Sequence, residues 1–199
     1  MKTIYLASGN THKLHELQSA LNQAALPIKV SGPEAIGGMP EVDETGSTFE
    51  SNALLKANGL KDVGPIDGWV LADDSGIEID ALNGRPGVIS ARYAGLDCDD
   101  KANNQKVVAE MKNIQEPDRT CRFRCVLALV GVDLEKTFAG VCEGKFLLEP
   151  KGKGGFGYDP FFLPEKSEST FAEISLDEKA KMSHRAKALS KLIDWISRQ

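Results

Sequence analysis

Two adjacent carboxylates, Asp73 and Asp74, stand directly after a short apolar run at residues 69–72 and before Ser75-Gly76. A continuous apolar run is typical of a strand that is covered on both faces. In open α/β sheets, ligands bind at the carboxyl ends of such strands. Neighbouring carboxylates repel each other when both ionise, so a lysine or a divalent cation, Mg²⁺ above all, is expected beside them. A simple turn capped by the two aspartates is the alternative.

A polar segment joins the first predicted strand, residues 3–7, to the helix that follows it. Amides at a helix N-terminus attract anions, Gly9 allows a ligand to approach the backbone, and Lys13 adds a full positive charge. These features favour a phosphate site, although Asn10 or Thr11 acting only as a helix cap explains the segment as well. The spacing of a P-loop is missing. The segment consists of Ser8, Gly9, Asn10, Thr11, His12 and Lys13.

A glycine-rich segment with aromatic residues lies at residues 152–158. Its four glycines allow the backbone to wrap closely around a ligand, and Phe156 and Tyr158 offer flat faces on which a nucleobase can stack. A glycine-rich hairpin loop without a ligand is the alternative. Near the end of the chain, His184 and Arg185 can donate hydrogen bonds from the final predicted helix, although a solvated helix face accounts for them equally.

Helices and strands, which must position these residues, alternate in the first part of the chain, and several strands follow one another in its middle. This pattern predicts a single compact α/β domain over residues 1–199, with a long, twisted, mixed central sheet flanked by helices. The strands are predicted from apolar runs and from alternation. They cover residues 3–7, 28–30, 69–72, 120–132 and 136–142, with a half-exposed strand through Ile77 and Ile79 that turns at Asn83-Gly84.

Helix starts are predicted from capping boxes, in which a hydroxyl and a glutamate three residues later each satisfy a backbone amide. Ser47 with Glu50 starts one helix, and Ser175 with Glu178 starts the last. Residues 32–40 are predicted as loop, residues 99–112 as helix, and residues 133–135 as the connection of a long hairpin. The buried stripe predicted for the last helix is Met182, Ala186, Leu189, Ile193 and Ile196.

The composition narrows the class of protein. With 199 residues, a net charge of −5 and a pI near 5.3, the chain has no general attraction for nucleic acid or anionic membranes. No export signal or membrane-spanning run is visible, so we expect a cytoplasmic protein. The cysteines show no metal-binding or redox spacing and are expected to be buried, reduced thiols. They are Cys98, Cys121, Cys125 and Cys142.

Six blocks of the sequence together resemble one family. In chain order they are SGNTHK (8–13), DETGSTFESNALLKA (43–57), LADDSG (71–76), GRPGVISARYAG (84–95), GGFGYDP (154–160) and SHRAKAL (183–189). They are similar to the blocks of the house-cleaning nucleoside triphosphate pyrophosphatases, the inosine triphosphate or dITP/XTP pyrophosphatase family. The blocks occur in the family's order and span nearly the whole chain.

The resemblance implies an activity and an architecture. The implied reaction is hydrolysis of ITP, dITP and XTP to the monophosphate and pyrophosphate, with Mg²⁺, which removes deaminated purine nucleotides from the pool. The implied protein is a homodimer, and each chain has two lobes around one cleft. Its substrate is a small nucleotide, and neither nucleic acid nor membrane is a partner.

The resemblance also implies a role for each matching residue. Glu44 and Asp74 match metal ligands, and Asp74 also matches the general base. Lys56 matches a lysine that contacts phosphate, and Ser75 lies beside the substrate. Residues 8–13 correspond to the triphosphate loop. The base pocket is matched by Phe156, Gly157, Tyr158, Asp159, Lys179, His184 and Arg185.

Two other functions remain open on the sequence. A pyrophosphatase for other modified nucleotides would keep the phosphate and metal residues and change the pocket around Phe156 and Arg185. A nucleotide sensor without catalysis is of a different class. Against the sensor stand Glu44, Asp73 and Asp74, because anions beside a triphosphate weaken binding unless a metal is recruited.

Overall fold

The computed structural model describes residues 2–95 and 99–199, so the prediction for Cys98 lies outside the described residues. The strands are β1 (Thr3–Leu6), β2 (Lys29–Ser31), β3 (Gly68–Ile79), β4 (Thr120–Gly131), β5 (Leu134–Phe146) and β6 (Phe162–Pro164). The helices are α1 (Thr11–Gln23), α2 (Phe49–Lys61), α3 (Asp100–Met111), α4 (Leu176–Met182) and α5 (His184–Ile196). Short 3₁₀ helices connect several of them. Within the described ranges, no helix is long and apolar enough to cross a membrane.

The sheet has six strands in the order β2-β1-β3-β4-β5-β6 and is mixed. Strand β1 pairs in parallel with β2 and β3, whereas β5 and β6 are antiparallel. Helix α1 provides the crossover that the parallel pair β1–β2 requires. The predicted α/β class, with a mixed central sheet flanked by helices, is therefore confirmed.

The chain forms two compact units. Unit 1 consists of Met1–Asp74, Val126–Ala139 and Ala188–Gln199, and unit 2 consists of Ser75–Cys125 and Gly140–Lys187. Strands β3, β4 and β5 each contribute residues to both units. Fully buried residues of unit 1 include Ile4, Leu21, Ala53, Leu60 and Val70. The core of unit 2 is more aromatic and contains Phe146, Phe162 and Phe171.

Strand β3 differs most from its prediction. The chain does not turn at Asp73-Asp74, because β3 continues without interruption from Gly68 to Ile79. The half-exposed strand predicted after these residues is the second half of the same strand, and both Ile77 and Ile79 are fully buried. The predicted turn at Asn83-Gly84 is confirmed, since both residues adopt a positive φ there. The aspartates therefore lie in the middle of a buried strand.

The hairpin β4–β5 is confirmed, with different bounds. Only Val132 and Asp133 connect the strands, and Asp133 has the positive φ, 54°, that a tight turn requires. Strand β5 begins at Leu134 and runs to Phe146, four residues beyond its predicted end at Cys142. Residues 32–40 are not loop throughout, because Pro33–Ile36 forms a 3₁₀ turn that ends at Gly37 in the left-handed region.

Two helix predictions need correction. The first capping box is formed by Thr48 and Ser51, not by Ser47 and Glu50, so α2 begins one residue later. The second box, Ser175 with Glu178, is confirmed. However, the last helix is interrupted at Ser183, whose side chain accepts a hydrogen bond from the Ala186 amide and so starts α5 as a separate helix.

The buried face of the last helix also differs from its prediction. The predicted stripe assumed one continuous helix from Met182 onward, and of its members only Ile196 is buried. The residues of α5 that are buried are Ala188, Leu192 and Ile196. Among the cysteines, Cys121, Cys125 and Cys142 are buried thiols, as predicted.

Candidate active site

The loop between β1 and α1 is a helix cap. Asn10 Oδ1 accepts hydrogen bonds from the amides of His12 and Lys13 at 2.9 and 3.3 Å, and Ser8 Oγ accepts one from the Asn10 amide at 3.2 Å. The cap predicted as the alternative is therefore confirmed for Asn10. The loop also leaves room for a ligand, because a Cβ added to Gly9 would meet no atom within 4 Å.

Lys13 reaches from the first turn of α1 to Asp73 on β3. Its Nζ lies 2.9 Å from both carboxylate oxygens, and the Asp73 side chain is only 5% exposed. Two hydrogen bonds to a cation satisfy the buried carboxylate, which explains how the strand can bury it.

Asp74 is held by a different lysine. Lys56 Nζ, from α2, lies 2.8 Å from Asp74 Oδ1 and 3.5 Å from Glu44 Oε1. Consecutive side chains of a strand point to opposite faces, and Asp73 and Asp74 accordingly pair with different lysines. We call Glu44, Lys56 and Asp74 the Lys56 cluster.

Asn52 connects the parts of the Lys56 cluster and was missed in the sequence. It is completely buried, its Nδ2 lies 3.4 Å from Asp74 Oδ2, and its Oδ1 accepts the Gly46 amide at 2.7 Å. Asn52 thus joins the segment that carries Glu44 to the strand that carries Asp74. The available signal was its spacing, since residues four apart in a helix share a face, as Asn52 and Lys56 do.

The Lys56 cluster has unusual electrostatics. Burial raises the pKa of the Asp74 carboxyl above its ordinary value, although the Lys56 ammonium and the hydrogen bonds from Lys56 and Asn52 oppose the shift. Next to it, the hydroxyl of Ser75 is buried without a hydrogen-bond partner among the described residues. An unpaired buried hydroxyl costs stability unless a ligand satisfies it.

The Lys56 cluster suits a divalent cation. Glu44 and Asp74 both contact one ammonium, so their oxygens lie within reach of a single positive charge. Mg²⁺ is usually held by one or two carboxylates together with phosphate oxygens of the substrate. Within residues 2–95 and 99–199, no group of three or more His, Cys, Asp or Glu is arranged to bind a metal. The two carboxylates therefore fit the share of Mg²⁺ ligands that a protein commonly supplies.

The glycine-rich segment of unit 2 presents one aromatic ring to solvent. Phe156 is 73% exposed. The Tyr158 side chain is buried in the core of unit 2, and its hydroxyl donates to the Ser90 carbonyl at 2.8 Å. The expectation of a second stacking face at Tyr158 is therefore wrong. We call residues 154–159 the Phe156 loop.

Asp159 and Lys179 form an ion pair at the end of the Phe156 loop. Asp159 is buried, and its Oδ2 accepts from both Lys179 Nζ and the Phe156 amide. The Lys179 ammonium also lies over the rings of Phe156 and Phe171, 4.9 and 5.1 Å from their centroids. Lys179 therefore holds the Phe156 loop through its ion pair with Asp159 and its contact with the Phe156 ring.

His184 and Arg185, the two residues predicted near the end of the chain, lie at the start of α5. His184 stacks on Phe123 of β4, with ring centroids 4.8 Å apart and an interplanar angle of 13°. Arg185 follows it in the first turn, and both side chains are half-buried. The structure thus gathers Lys13, Glu44, Lys56, Asp73 and Asp74 within unit 1. The predicted base residues all lie within unit 2.

Known proteins match this chain over almost its full length. The sequence model of the Ham1 family matches residues 4–195. The dITP/XTP pyrophosphatase of Bacillus subtilis is 46% identical over 193 residues, which cover 96% of this chain and 96% of that protein. The dITP/XTP pyrophosphatase of Opitutus terrae is 42% identical over 197 residues, which cover 96% of this chain and 97% of that protein.

A solved structure matches equally well. A HAM1 protein from Coxiella burnetii aligns with a TM-score of 0.92 and 40% sequence identity, and the alignment covers 100% of both chains. The architecture of this chain is therefore that of a known class of α/β proteins with a mixed central sheet. Since the family model spans nearly all of the sequence, the chain belongs to the Ham1 family.

Proposed function

We propose that this protein hydrolyses the deaminated purine nucleotides ITP, dITP and XTP to the monophosphate and pyrophosphate. The observation that carries the proposal is the buried Asp74 carboxylate, 2.8 Å from Lys56 Nζ, in a chain of the Ham1 family. The two relatives described above are named for pyrophosphatase activity on dITP and XTP. A base, two lysines and a second carboxylate suit hydrolysis of a phosphoric anhydride.

Asp74 is the general base of the proposed reaction. Burial raises the pKa of its carboxyl toward the range in which a base is effective at neutral pH, while the neighbouring Lys56 favours the ionised form. Asp74 takes a proton from the water that attacks the α-phosphorus, and pyrophosphate leaves. Asp73 accepts two hydrogen bonds from Lys13, and its role is to hold that lysine.

Lys13 and Lys56 supply the positive charge that the triphosphate requires. Negative charge accumulates on the leaving pyrophosphate, and ammonium groups held in place by buried carboxylates stabilise it without reorganisation. Mg²⁺, which Glu44 and Asp74 would hold, adds further positive charge at the phosphate oxygens when bound. The buried Ser75 hydroxyl donates to the same ligand.

Unit 2 carries the base recognition. Phe156 stacks on the purine, which adds affinity without selecting among purines. Hypoxanthine and xanthine carry a carbonyl at C6 where adenine carries an amine. A donor such as the Arg185 guanidinium therefore binds the former and is left unpaired by adenine.

The resemblance of the sequence blocks supports three finer parts of the proposal. The metal is Mg²⁺, the assembly is a homodimer, and the location is the cytoplasm, where the nucleotide pool is. The mass of the protein in solution, measured by light scattering, tests the dimer.

A panel of nucleoside triphosphates tests the function. With Mg²⁺, we expect ITP, dITP and XTP to release pyrophosphate much faster than the four standard deoxynucleotides, and chelation of the metal to stop the reaction. Faster turnover of a modified pyrimidine triphosphate would favour the alternative function, a pyrophosphatase for other modified nucleotides. Nucleotide binding without turnover would favour the sensor, and orthophosphate as the first product would contradict the mechanism.

A further inference from the structure

Two side chains of helix α3 hold the Phe156 loop through hydrogen bonds to the backbone N–H and C=O of a single residue, Gly157. The Gly157 amide donates to Asp100 Oδ2 at 2.7 Å, and the Gly157 carbonyl accepts from Asn104 Nδ2 at 2.9 Å. Asp100 and Asn104 are four residues apart and therefore lie on the same face of the helix. Two side chains of one helix thus fix both the donor and the acceptor of Gly157.

Gly157 needs such support because of its conformation. Its φ of 58° lies in the left-handed region, which glycine adopts more readily than other residues, and a Cβ there would meet no atom within 4 Å. No side-chain packing is therefore available on this side of the residue. Glycine samples more conformations than other residues, so the two hydrogen bonds from α3 help to fix the one that the loop adopts.

The neighbours of Gly157 are fixed from other directions. The Phe156 amide donates to Asp159 Oδ2 at 3.0 Å, and the buried Tyr158 hydroxyl donates to the Ser90 carbonyl at 2.8 Å. Tyr158, and Asp159 through Lys179, are thereby tied to residues outside the loop, and the Phe156 amide is tied to Asp159, while the Phe156 ring remains 73% exposed. An aromatic ring on a fixed backbone loses little conformational freedom when a flat ligand stacks on it.

Burial of the Asn104 side chain is unfavourable at one of its two polar atoms. The residue is 7% exposed, and among the described residues its Oδ1 is a buried acceptor without a hydrogen-bond partner. An unsatisfied buried amide oxygen is destabilising. The Nδ2 of the same side chain is fully used, because it donates to the Gly157 carbonyl at 2.9 Å and, within α3, to the Asp100 carbonyl at 2.8 Å.

We propose that Asp100 and Asn104 are positioning residues that fix the Phe156 ring for stacking on the nucleobase. They act through Gly157 and contact no phosphate. The inference rests on the proposed function, because it names residues that set the affinity for the base of that substrate. Neither residue belongs to the six blocks on which the sequence resemblance stands.

Steady-state kinetics on the full chain test the inference. In Asn104→Ala, the loss of one hydrogen bond to the loop is expected to raise KM for dITP about five- to tenfold. We expect kcat to stay within about twofold, and inorganic tripolyphosphate, which has no base, to inhibit as strongly as in the wild type. Asp100→Ala is expected to behave alike, whereas Asp100→Asn, which keeps an acceptor for the Gly157 amide, restores most of the affinity.

A matched control comes from the adjacent residue of α3. Asn103 is equally buried and binds the Ala94 amide and the Ala91 carbonyl, which lie outside the Phe156 loop. Asn103→Ala is expected to lower thermal stability and to leave KM within about twofold. Equal rises in KM for both asparagine variants would show a general loss of structure and overturn the proposal.

A double-mutant cycle with Phe156→Ala separates positioning from other effects. If Asn104 acts through the ring, Asn104→Ala raises KM no further once Phe156 is alanine. Additive effects would overturn the inference while leaving the proposed function intact, since the wild-type turnover of dITP is measured in the same series. Should Asn104→Ala fail to fold, the same cycle is run with Asp100→Ala, with the same two outcomes.

Discussion

Asp74 combines burial, a neighbouring cation and a raised pKa. Asp73 is equally buried, but both of its oxygens lie 2.9 Å from Lys13. Asp74 and Glu44 both contact Lys56, and Asn52 Nδ2 contacts Asp74 Oδ2. At the scale of single residues, the partners of each carboxylate thus distinguish the proposed base, Asp74, from Asp73, which holds a lysine.

Substitution of each aspartate distinguishes these roles. Asp74→Asn is expected to lower kcat about a thousandfold, because the amide cannot accept the proton of water. Asp73→Asn, the matched control, frees Lys13 and is expected to raise KM while turnover remains measurable. Pyrophosphate release at saturating ITP measures both. Near-normal turnover in Asp74→Asn would exclude Asp74 as the base. Complete loss of turnover in Asp73→Asn alone would assign the base to Asp73.

Asp74 also makes the stability of the metal-free protein depend on pH. A carboxyl whose pKa is raised by folding contributes stability that is present below the pKa of the unfolded chain, about 3.9, and is lost as the pH rises through the folded value. The ionised Asp74 therefore opposes folding at neutral pH. Asp74→Asn removes this cost, and Lys56 keeps Glu44 as its partner.

Urea denaturation in the presence of a chelator measures the effect. We expect Asp74→Asn to unfold at a higher urea concentration than the wild type at neutral pH, and the difference to disappear near pH 4. A variant that is less stable than the wild type at neutral pH would mean that Lys56 stabilises the ionised form more than burial destabilises it.

At the scale of elements, α2 positions the Lys56 cluster. It carries Asn52 and Lys56 one turn apart, and its start is fixed by Thr48 and Ser51, each of which accepts the other's backbone amide at 3.1 Å. Glu50, which the sequence suggested for the box, instead accepts from the Thr137 hydroxyl. Two overlapping sets of hydroxyl residues fit the capping pattern, so the pattern alone cannot choose between them.

The corrected box predicts a difference between two neighbouring hydroxyl residues. Thr48→Ala is expected to lower the free energy of unfolding by about 1 kcal/mol, because the Ser51 amide loses its acceptor. Ser47→Ala, one residue earlier and exposed, is expected to change it by less than about 0.5 kcal/mol. Urea denaturation of the two variants measures both values. A larger loss for Ser47→Ala would restore the box inferred from the sequence.

At the scale of the whole molecule, three strands carry residues of both units. Both tryptophans, Trp69 and Trp195, lie in unit 1 with ring centroids 5.8 Å apart. The buried Cys121 and Cys142 lie in unit 2, where burial raises the pKa of each thiol and keeps it unreactive. The two kinds of side chain therefore report on different units.

Because β3, β4 and β5 belong to both units, we expect one cooperative unfolding transition. Tryptophan fluorescence and the alkylation of Cys121 and Cys142 should show the same midpoint in urea. Peptide mapping restricts the alkylation signal to these two thiols, so Cys98 does not contribute. Reaction of the thiols at a clearly lower urea concentration would show that unit 2 opens separately.

The class of fold, the family and most elements can be predicted from the amino-acid sequence, because these depend on local periodicity and on short blocks such as LADDSG and GGFGYDP. Helix α1, the β4–β5 hairpin and the Ser175 box follow from neighbouring residues alone. The remaining features depend on contacts between residues that are far apart in the chain. Lys13 is sixty positions from Asp73, and their pairing lets β3 continue where the sequence suggested a turn. The hydrogen bonds from Asp100 and Asn104 to Gly157 likewise span 57 and 53 positions, and they could not be predicted because hydrogen bonds between distant segments leave no periodic signal.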